Sequence, residues 1–300
     1  GGPRPGGRDT GLFEAPWRIS AKTIADPARL HFEKIDAVFG AEESGMRLSG
    51  AGDLTLGAAP SFHAVVSARQ LDIDRLLAAN GAADKSPGQL LARLSGMLDA
   101  MALPPLPVQL EFGVDIATLS GRPIQAAGLD LRGSGEGWNI DRFEARGPGG
   151  ARLAAAGRFV AADKRGAFRG TVTLDASEPA TFAAWMFGLN ETNLGQLRAL
   201  RAKADIDAGA ESLTLDAIRF ETGGRTTEGR VALSGLGGGA AFRAEAALKG
   251  DNADLDALVR LARGAGQSLR LPDGGRLSID FGRVVLAGRD WHAFKSALSA

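Results

Sequence analysis

The sequence lacks cysteine and tyrosine entirely and has only three histidines in 300 residues. Without cysteine, the chain can form neither disulfides nor thiolate metal sites. Its 35 Lys and Arg residues balance 35 Asp and Glu residues, and the resulting net charge of zero argues against an ordinary basic nucleic-acid-binding protein. Because nucleophilic and metal-binding side chains are so scarce, we expect the function to depend on architecture rather than on a catalytic constellation.

Long apolar runs are also missing. The stretch FAAWMFGL at 182–189 is far shorter than the roughly 20 residues that cross a bilayer. The chain begins GGPRPGGRD, without an initiator Met, a basic region or an apolar region of the kind found in signal peptides. We therefore expect a fragment of a longer protein whose targeting signals lie elsewhere.

Glycine is abundant, with 42 residues, and three glycine-anchored stretches resemble one another. Residues 48–77, 153–186 and 226–259 each contain a short strand, a turn, a strand beginning with Phe, a polar link and an apolar helix-like end. Their anchor glycines are Gly52, Gly157 and Gly229. This repetition predicts an N-terminal extension with a first strand (1–29), a first repeat (30–78), an inserted helix and proline-rich link (79–107), a second repeat (108–186), a third repeat (187–267) and the start of a truncated repeat (268–300).

The strands that begin with Phe alternate in polarity. Phe62 and Val66, for example, alternate with His63 and Ser67. A period of two with one apolar side predicts half-buried β-strands, and a polar second side favours an antiparallel sheet over the parallel sheet of an α/β enzyme. We predict a mainly-β fold in which repeated antiparallel strands form an elongated curved sheet or groove, with a few short amphipathic helices.

Two helices are predicted from their start signals. Ser86, Pro87 and Gln89 form a capping-box pattern before an apolar stripe that ends at Pro104. Asp254 is a candidate N-cap for a second stripe at 255–261. The favoured interpretation is that both stripes pack on the sheet; contact with a partner or a membrane is the alternative.

Some acidic and glycine-rich segments partly match known ligand-binding motifs. Asp205, Asp207 and Gly209 resemble the opening of a calcium loop, but Gly209 takes the place of a third side-chain ligand. The pair Asp72 and Asp74 is likewise incomplete. The glycines at 50–52 and 235–239 lack the Lys-Ser/Thr pair of a phosphate loop and are interpreted as turns.

Histidine chemistry is similarly incomplete. His31 and Glu33 lie on one side of a predicted strand, but two ligands do not make a metal site. His63 and His292 have no G-x-S-x-G elbow to supply a nucleophile. We predict no catalytic residue, no cofactor and no metal, and therefore a protein that is not an enzyme.

Residues 30–77 carry the most distinctive pattern: an acidic turn in a hairpin, then LSGAG, then a strand that ends SARQLDIDRLL. This segment resembles the AsmA-like family of bacterial envelope proteins, and weaker similarity extends to about residue 260. The resemblance implies a periplasmic region anchored in the inner membrane by an N-terminal helix that this sequence lacks. It also implies a role in outer-membrane biogenesis, through a repeating β-groove that carries lipid.

An apolar sheet face must be covered by a second sheet, by helices or by a ligand. If the sheet forms a trough, its inner wall is predicted to contain Phe62, Val66, Phe112, Val114, Ile116, Phe168, Val172, Leu174, Phe242 and Leu248. The predicted partner is phospholipid acyl chains, with headgroups left in solvent. The alternative is that these residues form the closed core of a structural or adhesive β-solenoid or sandwich without a lipid ligand.

Overall fold

The computed structural model describes residues 17–39, 46–78, 86–87, 104–160, 167–188, 199–209, 211–236, 240–254 and 272–299. Within them, fifteen strands form one sheet in which the order along the chain is also the order across the sheet. The strands are β1 (Trp17–Ala25), β2 (Arg29–Phe39), β3 (Met46–Thr55), β4 (Ser61–Asp72), β5 (Val108–Leu119), β6 (Arg122–Ser134), β7 (Gly137–Gly147), β8 (Ala151–Val160), β9 (Ala167–Ala176), β10 (Leu200–Ala208), β11 (Ser212–Thr222), β12 (Arg225–Ser234), β13 (Arg243–Asp254), β14 (Gly274–Leu286) and β15 (Arg289–Ser299). The sheet is not closed, and the predicted mainly-β fold is confirmed.

Two pairs of neighbouring strands depart from the antiparallel arrangement that the sequence predicted. β4 pairs with β5 in parallel, and β13 pairs with β14 in parallel. A parallel neighbour requires the chain to return to the starting end of the strand, so its connection is long. Residues 73–107 and 255–273 provide these two connections, whereas a tight turn or a short segment joins most of the antiparallel pairs.

The two hairpins that follow the parallel pairs resemble each other. The turn Ser120–Gly121 joins β5 to β6 and Ala287–Gly288 joins β14 to β15, with positive φ at all four residues. Such two-residue turns match the right-handed twist of the strands they connect. Just before these turns, Val114 and Ala117 are buried in β5, as are Phe281 and Val284 in β14. The structure therefore repeats at a longer spacing than the three stretches recognised in the sequence.

Bulges interrupt the regular alternation of several strands. The register of β11 against β12 shifts between Leu215 and Ile218, where Ala217 has a φ of 48°. A similar shift separates Ile140 from Phe143 in the pairing of β7 with β8. An extra residue in one strand lets two side chains three positions apart point to the same side. The bulges therefore keep the apolar side continuous where strict alternation would have reversed it.

The anchor glycines lie where neighbouring strands approach closely. Gly157 in β8 faces Gly170 in β9, and Gly229 in β12 faces Leu248 in β13. A Cβ atom on Gly157 would lie 2.6 Å from the carbonyl oxygen of Arg169, and one on Gly229 would overlap the carbonyl oxygen of Ala247. Gly157 thus allows β8 to pair closely with β9, and Gly229 allows β12 to pair closely with β13.

Two short helices lie at the same end of the sheet, in the part of the chain that the structure describes. Helix α1 (Ile73–Ala78) follows β4, and the carboxylate of Asp74 accepts hydrogen bonds from the backbone N–H groups of Ser120 (2.5 Å) and Gly121 (2.7 Å). Helix α2 (Pro179–Phe187) follows β9 and ends at Gly188. Neither helix is long and apolar enough to cross a membrane.

Apart from Ser86, Pro87 and Pro104, the first predicted helix lies outside the described residues, as does the 255–261 stripe.

Helix α2 contributes two aromatic residues to the larger of two buried clusters. Phe182 and Trp185 pack with Ala117, Ala145 and Ala151, and the indole Nε1 of Trp185 donates to the carbonyl oxygen of Leu119 at 2.9 Å. The second cluster contains Ile279, Phe281 and Val284 in β14. Burial is therefore concentrated near one end of the strands, and the middle of the sheet is less covered.

Candidate functional site

The register of the strands places one uninterrupted row of apolar residues across the whole sheet. Residues directly paired on neighbouring strands point to the same side. Followed from pair to pair, with one step of two residues within β10, the row contains only apolar side chains and glycine. We call it the apolar row: Ala21, Ile35, Gly50, Val66, Phe112, Leu129, Phe143, Ala155, Val172, Ala204, Ile206, Leu215, Val231, Ala246, Leu277 and Leu298.

The apolar row is incompletely covered. Every member between Ile35 and Leu277 is half-buried, and Leu298 in the last strand is 62 % exposed. A face sealed by a second layer would contain mainly buried residues. Among the described residues there is one sheet and no second one, and helix α2 packs only near the ends of β5 to β9. We call the side that carries this row the apolar face.

The opposite side, the polar face, carries ion pairs between neighbouring strands. Arg169 of β9 contacts Asp207 of β10 at 2.7 Å, Arg230 of β12 contacts Asp216 of β11 at 2.8 Å, and Lys295 of β15 contacts Asp280 of β14 at 2.9 Å. No charged or polar residue of the described chain is fully buried. Exposed pairs of this kind contribute little to stability, so their main consequence is a well-solvated polar face.

Most of the predicted groove residues lie on the apolar face. Val66, Phe112 and Val172 belong to the apolar row itself. Five others lie two or four residues along a strand from a member of the row, and therefore on the same side: Phe62, Val114, Phe168, Leu174 and Leu248. Phe242 directly precedes β13 and is 9 % exposed. Nine of the ten predicted positions are therefore on this face or buried beside it.

Ile116 differs from its prediction. It is 43 % exposed, whereas the next residue, Ala117, is 2 % exposed and packs with Val114. Two successive exposed residues, Asp115 and Ile116, show that the alternation of β5 changes phase before its end. The reason is a local irregularity that reaches the neighbouring strand, where Ala126 has a φ of 48° and the register against β7 shifts.

Some apolar residues in strands that contain bulges were not among the predicted groove residues. Phe143 and Ile218 belong to the apolar face, yet each follows two residues that break a period of two. A search that allows one inserted residue per strand would have found the pairs Ile140 with Phe143 and Leu215 with Ile218. The apolar pattern was therefore present in the sequence, but it was displaced by one residue at each bulge.

The residues weighed as metal ligands have other partners. Asp205 accepts a hydrogen bond from Thr171 at 2.8 Å, and Asp207 pairs with Arg169. His31 contacts Asp53 at 2.8 Å, while Glu33 pairs with Lys22 of β1. Within the described residues, no cluster of three or more His, Asp or Glu side chains is arranged to hold a metal.

The pair between Arg283 of β14 and Asp290 of β15 has the geometry of a two-pronged contact, with distances of 3.1 Å and 2.6 Å. Hydrogen bonds from Arg283 hold the pKa of Asp290 below its usual value, and the nearby charge of His292 acts in the same direction. The stabilisation from this pair is therefore present above the usual pKa of about 4, and it is lost as the pH falls through the lower pKa of the folded state.

We expect the carboxyl group of Asp290 to titrate at a lower pH in the parent protein than in Arg283→Gln. Carbon-13 NMR of the side-chain carboxyl, recorded from pH 2 to pH 6, measures both midpoints. His292→Gln is the control and should change the midpoint less than Arg283→Gln, because the hydrogen bonds from Arg283 are the largest influence. An unchanged midpoint in Arg283→Gln would contradict the contact.

Comparisons of the chain with protein-family models, with curated proteins and with solved structures found no match.

Proposed function

We propose that the apolar face binds phospholipid acyl chains and that this protein shields or conveys phospholipid without catalysing a reaction. The observation that carries the proposal is the apolar row, which crosses fifteen strands without a charged side chain, is half-buried from Ile35 to Leu277 and is exposed at Ala21 and Leu298. Soluble monomers rarely leave apolar patches larger than a few hundred Å² exposed without a partner. An elongated partner with the same chemistry along its length fits such a row.

Acyl chains meet that requirement. Each methylene group removed from water contributes about 0.8 kcal/mol, and it needs no specific polar contact. The row is uniform from strand to strand, so a chain can bind in many similar positions. Many weak positions permit the lipid to move and to be released, as the weak, multiple sites of an ion channel permit conduction. One tight site would hold the lipid in place.

The resemblance of residues 30–77 to AsmA-like proteins supports the same function. We extend the proposal to that family's setting: a periplasmic segment, anchored to the inner membrane in the full-length protein, that serves outer-membrane biogenesis. The apolar row supports lipid binding independently of this resemblance.

Two neighbouring alanines offer a matched test. Ala155 is in the apolar row, whereas Ala156 is exposed on the polar face. We expect phosphatidylethanolamine with a fluorescent acyl chain to bind the parent protein and Ala156→Glu with equal affinity. Ala155→Glu should bind at least about tenfold more weakly, because a carboxylate in the row must lose its hydration when lipid covers it. The measurement is the rise in fluorescence during titration.

The pair Ala246 and Ala247 in β13 repeats this design at a distant place in the row, again with one residue on each face. Circular dichroism shows whether each variant is folded. Equal binding by the Ala155→Glu and Ala156→Glu variants, or no binding by the parent, would argue against a lipid function. A structural or adhesive sheet would then be the better explanation.

A further inference from the structure

Two arginines face each other across a turn at the end of the sheet where α2 lies. Arg146 of β7 is directly paired with Arg152 of β8, and the 3-10 turn Pro148–Gly150 joins the two strands. Like charges placed directly opposite on neighbouring strands are destabilising. Neither arginine has a carboxylate within ion-pair distance among the described residues. Asp175, which is paired with Arg152 across β8 and β9, contacts Arg201 of β10 instead, at 3.3 Å.

A second pair of directly opposed arginines in the same sheet has a carboxylate partner for each member. Arg158 of β8 is directly paired with Arg169 of β9. Arg158 contacts Glu136 at 3.3 Å, and Arg169 contacts Asp207 at 2.7 Å. Each member of this pair therefore has its own carboxylate. Arg146 and Arg152 make no ion pair with a described carboxylate, although Glu144 and Asp175 line a neighbouring depression with them, and we call these two arginines the uncompensated pair.

The uncompensated pair lines an open depression of about 400 Å³. Arg122, which follows the Ser120–Gly121 turn, contributes a third guanidinium group, and Thr181 contributes from the first turn of α2. No side-chain hydrogen bond caps the beginning of this helix, and the hydroxyl of Thr181 donates to the carboxylate of Glu178 at 3.5 Å. Three guanidinium groups around one depression suit an oxyanion with several acceptor oxygens.

From this geometry we infer that Arg122, Arg146 and Arg152 bind the phosphate group of an anionic ligand. The site lies at the end of the strands, where Arg146 and Arg152 point to the polar face, because Ala145 and Ala151, their neighbours in sequence, are buried on the apolar side. A phosphate here is supplied either by a lipid headgroup or by a free phosphate ion. The inference does not rest on the proposed lipid function, because inorganic phosphate has no acyl chain.

The test compares two double variants by calorimetric titration with sodium phosphate in chloride buffer of constant ionic strength. Arg146→Gln with Arg152→Gln removes the uncompensated pair, and Arg158→Gln with Arg169→Gln removes the compensated one. We expect the parent and the second variant to bind phosphate equally. The first variant should bind about a hundredfold more weakly, since each charge-assisted hydrogen bond contributes about a factor of ten or more.

Thermal denaturation in chloride alone establishes that both variants fold. We expect the variant without Arg146 and Arg152 to melt at the same temperature as the parent or higher, because a repulsive contact has been removed. An equal loss of phosphate binding in both double variants would show a general charge effect and overturn the inference. An absence of binding to the parent protein would overturn it as well.

A second titration distinguishes the two sources of the phosphate. Dihexanoyl phosphatidic acid carries the same group on two short acyl chains. If the physiological ligand is a lipid, this compound should bind more tightly than inorganic phosphate, and Ala155→Glu should remove the gain while Ala156→Glu keeps it. Equal affinity for the two compounds would assign the site to free phosphate. That result would leave the phosphate site intact while counting against the lipid function.

Discussion

Replacing Trp185 with alanine is expected to lower the free energy of unfolding by about 4 kcal/mol, because the change empties the centre of the larger buried cluster. The residue is 8 % exposed, its ring lies 5.9 Å from that of Phe182, and its indole N–H satisfies the carbonyl oxygen of Leu119. The alanine variant loses apolar contact and leaves that carbonyl without its partner. Urea denaturation followed by circular dichroism measures the loss.

Two further variants separate the causes. Trp185→Phe retains most of the apolar surface and should cost less than Trp185→Ala, since it mainly removes one hydrogen bond worth about 1 kcal/mol. Phe187→Ala changes the same helix at a residue that is 53 % exposed, and it should alter stability by less than about 1 kcal/mol. If Trp185→Ala and Phe187→Ala had the same effect, α2 would not be packed on the sheet as described.

Gly229→Ala is expected to destabilise the protein by about 2 kcal/mol, although it adds only one methyl group. The new Cβ would overlap the carbonyl oxygen of Ala247 and lie 2.9 Å from Cδ2 of Leu248, so β12 and β13 must move apart. Forcing extra volume into a closely packed place typically costs 1–3 kcal/mol. The hydrogen bonds between these two strands should weaken together, which amide hydrogen exchange detects as lost protection in both strands.

Gly113→Ala is the matched control. Gly113 also lies inside a strand, but an added Cβ would have no atom within 4 Å. We expect this change to leave stability within about 0.5 kcal/mol of the parent, because alanine restricts the unfolded chain without straining the folded one. Equal destabilisation by the two substitutions would mean that the close approach at Gly229 is not what makes glycine necessary there.

The fold class was predictable because each strand carries its own signal. The eight residues from Phe168 alternate strictly in polarity, those from Phe62 do so except at Val65, and neither pattern depends on a distant part of the chain. The anchor glycines were also visible as a repeated feature. The reason why glycine is needed at these positions was not visible, since the close approach of Gly229 to Ala247 depends on a neighbouring strand.

The parallel pairs and the bulges were not predictable in the same way. The alternation of polar and apolar residues in a strand is the same whether its neighbour is parallel or antiparallel. The direction of β5 relative to β4 was therefore visible only in the pairing itself. The bulge at Ala217 similarly depends on how β11 fits both of its neighbours. Local alternation therefore failed at Ile116 and missed Phe143, while it held in the regular strands.

By itself, the sequence determined that the strands have one apolar and one charged side, because side-chain direction alternates along any extended chain. Only the tertiary structure decided that these sides join into one apolar row, that α2 packs near the ends of β5 to β9, and that Arg146 is paired with Arg152 without an ion pair to a described carboxylate. Those features depend on register between strands, which is set by pairing, turns and bulges acting together rather than by any single segment.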